Sequence, residues 1–159
     1  MNSSDIIKTQ VAVIGAGITG CAIARELTRY RIRTLVIDKE ADVGWGTTKA
    51  NTGLIHPGYA GEEGTLRLSL SRKGQQLFIK NAEELSITIK PTGSILNALT
   101  EENVHNLEKL LVQGRRYGVP GLKIISNRDG SLRKIEPNIS DNVIAALYCR
   151  EHFATSPYE

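Results

Sequence analysis

The glycine turn Gly15-Ala16-Gly17-Ile18-Thr19-Gly20 constrains this chain more than any other stretch. It follows the apolar run of residues 8–14, KTQVAVI, whose β-branched end suits a buried parallel strand. It opens a segment in which Gly20, Ile23, Ala24 and Leu27 share one helical face. Arg29 and Arg31 come near the end of that helix, where cations complement the dipole. A second apolar run, Thr34-Leu35-Val36-Ile37, closes on Asp38. Strand, turn, helix and strand in that order predict a βαβ unit with a right-handed crossover.

Three glycines at this spacing are a weak signal alone, but their setting gives them meaning. They follow a strand, open a helix and have an acid at the end of the next strand. Gly15 permits a tight turn, Gly17 lets backbone approach a pyrophosphate, and Gly20 lets the helix pack closely on the sheet. The helix N-terminus offers unpaired N–H groups and partial positive charge to phosphates. Asp38 comes 18 residues after Gly20, close to the spacing of about 20 at which a carboxylate meets a ribose 2′-hydroxyl. The same carboxylate repels a 2′-phosphate, so FAD or NAD is favoured over NADP. Gly15, Ala16, Gly17, Ile18, Gly20, Asp38 and Lys39 are the cofactor-binding candidates of this Rossmann-type unit.

Residues 39–63 change character: glycine-rich, with small polar side chains and no amphipathic period. A loop this long in a compact domain is either functional or a mistaken assignment. Residues 65–85 regain helical spacing, with Leu66, Leu70, Leu77, Phe78 and Leu85 near one face. After the turn Pro91-Thr92-Gly93, residues 94–99 read as a strand. Thr100 caps a helix that carries Glu101 and Glu102 in its first turn, with Val104, Leu107, Leu111 and Gly114 on one face. Gly118 and Pro120 end it. Residues 122–125 read as a strand, 127–135 as a short helix and 144–149 as a strand. The fold class is therefore α/β: an FAD-binding or NAD-binding βαβ unit followed by the start of an α+β domain. The expected domains are residues 1–90 and 91–159.

Charge excludes little and suggests no polyanionic partner. Twenty basic residues against seventeen acidic ones leave +3, with the two signs interspersed, so neither nucleic acid nor a membrane surface is indicated. Cys21 and Cys149 form no CxxC pair, which leaves zinc and thiol redox chemistry without support. Cys21, inside the first helix, is expected to be a small buried residue. The start MNSSDIIKTQ lacks the pattern of a signal peptide. No run approaches the roughly 18 apolar residues of a membrane span. A soluble, cytoplasmic protein without a metal site is expected.

The long loop chooses between FAD and NAD. Its core, Thr47-Thr48-Lys49-Ala50-Asn51-Thr52-Gly53-Leu54-Ile55-His56-Pro57-Gly58-Tyr59, resembles the T-S-K-A-N-S-G-x-x-H-x-G-Y stretch of FAD-dependent glycerol-3-phosphate dehydrogenases. These belong to the D-amino-acid-oxidase-like FAD oxidoreductases, and 2-hydroxyglutarate dehydrogenases carry a related form. Tyr117-Gly118-Val119-Pro120-Gly121-Leu122, Ile135-Glu136-Pro137-Asn138-Ile139 and Ser156-Pro157-Tyr158-Glu159 extend the likeness over nearly the whole chain. The resemblance implies a two-electron flavin dehydrogenase acting on a secondary alcohol, either glycerol 3-phosphate or a 2-hydroxyacid. It adds Thr47, Thr48, Lys49, Asn51, Thr52 and Gly53 as flavin-facing candidates and His56 as the candidate for proton transfer or for holding the loop. His105 and His152 are expected to be structural or exposed.

This chain departs from the family pattern in several places. Asp38 stands where glutamate is usual, and Pro57 where a small residue is usual. Arg150-Glu151-His152-Phe153-Ala154-Thr155 replaces a small, glycine-containing turn. Family members are much longer, so the resemblance implies an N-terminal portion. An electron-acceptor subunit or a complementing C-terminal polypeptide are the implied partners. The alternative to an enzyme is an FAD-binding fragment without turnover of its own.

Overall fold

A computed structural model describes residues 6–158. The first residues of the MNSSDIIKTQ start and Glu159 of the last motif lie outside the described residues. Two compact units divide the chain, one running to Thr52 and including Tyr158, the other running from Gly53 to Pro157. That division falls earlier than the boundary at residue 90 expected between cofactor and substrate domains. Strand pairing is the reason, because residues just after Gly53 join a sheet whose other strands come from beyond residue 88.

In the first unit, β1 (Val11–Ile14) and β2 (Thr34–Ile37) pair in parallel, Val11 opposite Thr34 and Ile14 opposite Ile37. Between them runs α1 (Ile18–Leu27), as the glycine turn requires. Two expectations change here. The strands are not buried on both faces: Ile14 is 78% exposed and Ile37 44%. Cys21 is exposed as well. Both follow from a sheet of two strands, in which Val13 and Ala16 supply the buried residues of this unit. The loop after β2 is less irregular than its composition suggests, since Gly46–Thr48 forms one 3₁₀ turn.

The second unit holds two antiparallel sheets. In one, β3 (Leu54–Ile55) and β4 (Ile89–Pro91) flank β8 (Phe153–Thr155). In the other, β5 (Ser94–Ala98) and β6 (Lys123–Ser126) flank β7 (Ala145–Cys149). Strand β7 is buried along nearly its whole length. Its alternating side chains therefore feed two separate cores. Leu147 and Cys149 join Tyr59, Ala98, Leu107, Val119 and Leu122, whereas Ala146 joins Leu132, Ile139 and Val143. The first core is roofed by α3 (Glu101–Arg116), whose Leu107 and Gly114 are buried as its periodicity predicts. The Thr100 hydroxyl accepts the Asn103 N–H at 3.2 Å, the cap expected from the sequence.

Helix α2 (Leu66–Glu84) forms where expected but turns a different face inward. Its buried residues are Leu68, Gln75 and Ala82, while Leu66, Leu70, Leu77 and Leu85 are exposed. The inward stripe is polar at its centre because the Gln75 amide has partners there. Its Nε2 donates to the Glu151 carbonyl at 2.5 Å, and its Oε1 accepts from Arg72 at 2.6 Å. Residues 127–135 form only a 3₁₀ turn at Leu132–Lys134 rather than a helix. Asp129 explains this, accepting the Ser131 N–H at 3.0 Å and its hydroxyl at 2.7 Å, a local alternative to helical bonding.

Leu147 is fully buried between strand and helix, so Leu147→Ala is expected to cost about 2–5 kcal/mol. Leu70→Ala, on the exposed face of α2, should stay within about 0.5 kcal/mol. Urea unfolding of the two variants checks the assignment of inner and outer faces.

Candidate functional site

Each unit carries its own set of chemistry-bearing residues. In the first, the glycine turn is shaped by two close approaches. Gly20 lies so near the preceding turn that a Cβ there would sit 1.8 Å from the Gly15 carbonyl oxygen. Only glycine at position 20 lets α1 begin this close to the end of β1. The turn is then tied to β2 from both sides. The Gly15 N–H donates to the Ile37 carbonyl at 2.7 Å, and the Ala16 N–H donates to Asp38 Oδ2 at 2.5 Å.

Asp38 Oδ1 accepts the Glu40 N–H at 2.9 Å. The amide of Ala16 first, and then that of Glu40, hold the Asp38 carboxyl below its ordinary range. A carboxylate has roughly four acceptor sites, so two backbone amides leave room for a ribose hydroxyl. The expected ribose ligand is thus also the clamp of its own turn. Lys39, beside it, is exposed and approaches Glu40 at 3.6 Å.

Several flavin-facing candidates of the loop hold backbone in place. Thr48 Oγ1 accepts the Ile18 N–H at 3.0 Å, capping the first turn of α1 across the sequence. It also lies where a Cβ on Gly17 would meet it at 3.0 Å. Asn51 Nδ2 donates to the carbonyls of Thr47 and Thr48 at 3.1 and 2.7 Å, fastening the 3₁₀ turn. The Lys49 ammonium stands 5.2 Å from the centre of the Trp45 ring. Thr52 is exposed. Gly17, the N-cap residue before α1, has no side chain to cap the helix, so the Ile18 N–H takes Thr48 instead and the glycine leaves space for a ligand phosphate at the helix end.

Gly53 belongs to the second unit, and its place there is set by a strand. With φ of +65°, a Cβ would fall 2.1 Å from the Thr155 carbonyl. The Gly53 carbonyl accepts the Thr155 N–H at 2.8 Å. Close backbone packing therefore accounts for this glycine.

His56 follows β3. In the register of β3 on β8, Ile55 faces Phe153, and one step further His56 meets His152. Their Nδ1 and Nε2 atoms are 3.1 Å apart, with the rings edge to face. His152 Nδ1 lies 2.5 Å from Ser94 Oγ. The Thr92 and Gly93 N–H groups both donate to the His152 carbonyl, at 3.1 and 3.0 Å. His152 is buried and His56 exposed. Burial, and then the neighbouring His56 ring, push His152 down to about 4, so it stays neutral at neutral pH. Sequence reasoning left His152 as structural or exposed because the pairing joins residues 96 positions apart through a strand it did not expect. His105 is exposed beside Glu108 at 3.4 Å, as expected. Among the described residues no group of three or more metal-ligating side chains converges, and no helix is long and apolar enough to cross a membrane.

Residues 10–159 match the DAO family, described as FAD dependent oxidoreductase. The chain belongs to the DAO family of FAD dependent oxidoreductases. Over 149 residues it is 43% identical to a glycerol 3-phosphate dehydrogenase of Caloramator mitchellensis, covering 94% of this chain and 31% of that protein. It is 32% identical over 129 residues to the human mitochondrial L-2-hydroxyglutarate dehydrogenase, covering 80% of this chain and 27% of that one. Among solved structures, the dithionite-reduced L-alpha-glycerophosphate oxidase of Mycoplasma pneumoniae with FAD bound superposes with a TM-score of 0.81 at 22% identity. That match covers 96% of this chain and 40% of the oxidase. An L-proline dehydrogenase from P. horikoshii gives 0.81 at 27% identity, covering 95% and 39%. The chain thus spans about a third of the length of these relatives. FAD is the family's cofactor, and the glycine N-cap of α1, where a ligand can approach the helix end, fits a dinucleotide.

Because Asp38 is held low, its grip on the turn is complete above its ordinary value of 3.8 and is lost as pH falls through the lowered one. Exchange of the Ala16 amide should therefore stay slow from neutrality to about pH 4 and gain an acid-dependent opening below it. Asp38→Asn should remove that dependence, as site-resolved hydrogen exchange would show.

Proposed function

We propose that this chain carries the FAD-binding part of a flavin dehydrogenase that oxidises a secondary alcohol, glycerol 3-phosphate, to dihydroxyacetone phosphate. The observation that supports this substrate is the higher identity to the glycerol 3-phosphate dehydrogenase, 43% against 32% for the human 2-hydroxyglutarate enzyme, over more of the chain. Gly17 would leave room for the pyrophosphate at the N-terminal end of α1, and Gly15, Ala16, Ile18 and Gly20 would shape the turn around it. Asp38 would accept the ribose hydroxyl, and Lys39 would add positive charge beside it. Thr47, Thr48, Lys49, Asn51, Thr52 and Gly53 form the loop on the flavin side. When bound, FAD supplies an acceptor for the hydride that leaves the carbinol carbon. His56 is the base that takes the hydroxyl proton.

In this reading residues 1–90 serve the cofactor and residues 91–159 begin the substrate domain. The remainder of the site, and reoxidation, would come from segments matching the rest of the relatives' length or from a complementing or electron-accepting polypeptide. Free thiols at Cys21 and Cys149 agree with a reducing, cytoplasmic setting. A 2-hydroxyacid substrate is the second reading, supported by the matches to L-2-hydroxyglutarate dehydrogenases.

Anaerobic mixing of the FAD-loaded protein with each substrate separates these readings. Glycerol 3-phosphate should bleach the visible flavin band at least about tenfold faster than L-2-hydroxyglutarate, a difference of about 1.4 kcal/mol in barrier. The reverse order would favour the 2-hydroxyacid. Stable flavin colour with either substrate would leave a binding module without chemistry.

A further inference from the structure

The contact between His56, His152 and Ser94 forms one hydrogen-bonded row from the surface into the second unit. Two neutral imidazoles and a hydroxyl in a row can be oriented in two ways. In one, Ser94 donates to His152 Nδ1, His152 donates from Nε2, and His56 keeps its proton on Nε2, where it is no base. In the other, His56 donates from Nδ1 to His152 Nε2, His152 donates from Nδ1 to Ser94, and His56 Nε2 carries the free lone pair. Among the described residues, His56 Nε2 has no protein partner.

The proton that His56 takes up as a base selects the second orientation of this row. His152 itself is buried and stays neutral, so it can donate from one nitrogen only. A doubly protonated His56 must donate from Nδ1, which forces His152 Nε2 to accept and Nδ1 to face Ser94 as a donor. The second orientation is therefore the one that does not have to reverse when His56 gains a proton.

We propose that His152 and Ser94 are positioning residues that hold His56 as the Nδ1–H tautomer, leaving Nε2 to receive the substrate proton. This rests on the reading of His56 as the base. In the step it supports, the O–H bond of the substrate breaks and its proton goes to His56 Nε2. FAD, when bound, would supply the acceptor for the hydride from the carbinol carbon, and His152 remains neutral throughout. The groups facing the pair do not compete for that proton. Tyr59 meets the His152 ring at a centroid distance of 6.2 Å, and Cys149 lies beside Tyr59. Burial pushes both the Tyr59 phenol and the Cys149 thiol up, so both stay uncharged near neutrality. Gln75 bridges the Glu151 carbonyl and the Arg72 guanidinium.

Nitrogen-15 spectra of the histidine rings in the full chain, without flavin or substrate, test this near pH 8. The expected result is His152 and His56 both as Nδ1–H tautomers. His152→Phe keeps a ring but removes the acceptor, and should lower the Nδ1–H population of His56 by about tenfold or more. His152→Gln offers an amide oxygen to His56 Nδ1 and an N–H to Ser94, and should restore it. Finding His56 as Nε2–H in the wild-type chain, or unchanged in His152→Phe, would overturn the proposal. Flavin that stays oxidised with every alcohol would instead defeat the assignment of His56 as base and leave the tautomer result standing.

Discussion

The first unit depends on one carboxylate. Asp38 takes the Ala16 amide at the tip of the glycine turn and the Glu40 amide beyond β2. It thereby fixes where the N-terminus of α1 stands relative to both strand ends. Gly20 makes the arrangement possible, because any Cβ there would fall on the Gly15 carbonyl. Thr48 completes it from the loop by capping Ile18. A turn so fastened is formed before any ligand arrives, and a preformed site loses less entropy on binding. The acid read from sequence as a ribose ligand is thus first a structural clamp, with acceptor capacity left over.

The second unit organises its chemistry through strand register. Two residues of β3 pair with β8, and continuing that register by one step brings His56 to His152. The carbonyl of His152 is held by the amides of Thr92 and Gly93 and its ring by Ser94. Backbone and side-chain bonds together therefore fix a buried, neutral imidazole behind an exposed one. Gly53 serves the same sheet, giving up room for a side chain so that the Thr155 carbonyl can approach.

Much of this was legible in the sequence, for physical reasons. The βαβ unit was, since glycine spacing, apolar runs and a terminal acid all report local backbone demands. Helix α3 was, because Thr100, the acids of its first turn and its apolar face agree with one another. The inward face of α2 was misread, since Leu66, Leu70 and Leu77 carry the apolar period while tertiary partners for Gln75 decide the burial. Cys21 was misread for a similar reason, as helical position gives a face but not what covers it. The strands β3, β4 and β8 are short, and their pairing is non-local, so no periodicity announced them. With β8 unforeseen, His152 had no visible reason to meet His56. The loop motif marks residues 47–53 as a special segment; in the structure Thr48 bonds α1, Asn51 fastens the loop itself and Gly53 pairs with Thr155.

Asp38 and the end of α1 shape the glycine turn that is the proposed FAD site. Equilibrium titration of the chain with FAD and with NAD, followed by flavin fluorescence and by calorimetry, tests this most directly. FAD should bind at least about tenfold more tightly than NAD, or about 1.4 kcal/mol. Equal affinity for the two, or no saturable binding of FAD by the folded chain, would contradict it.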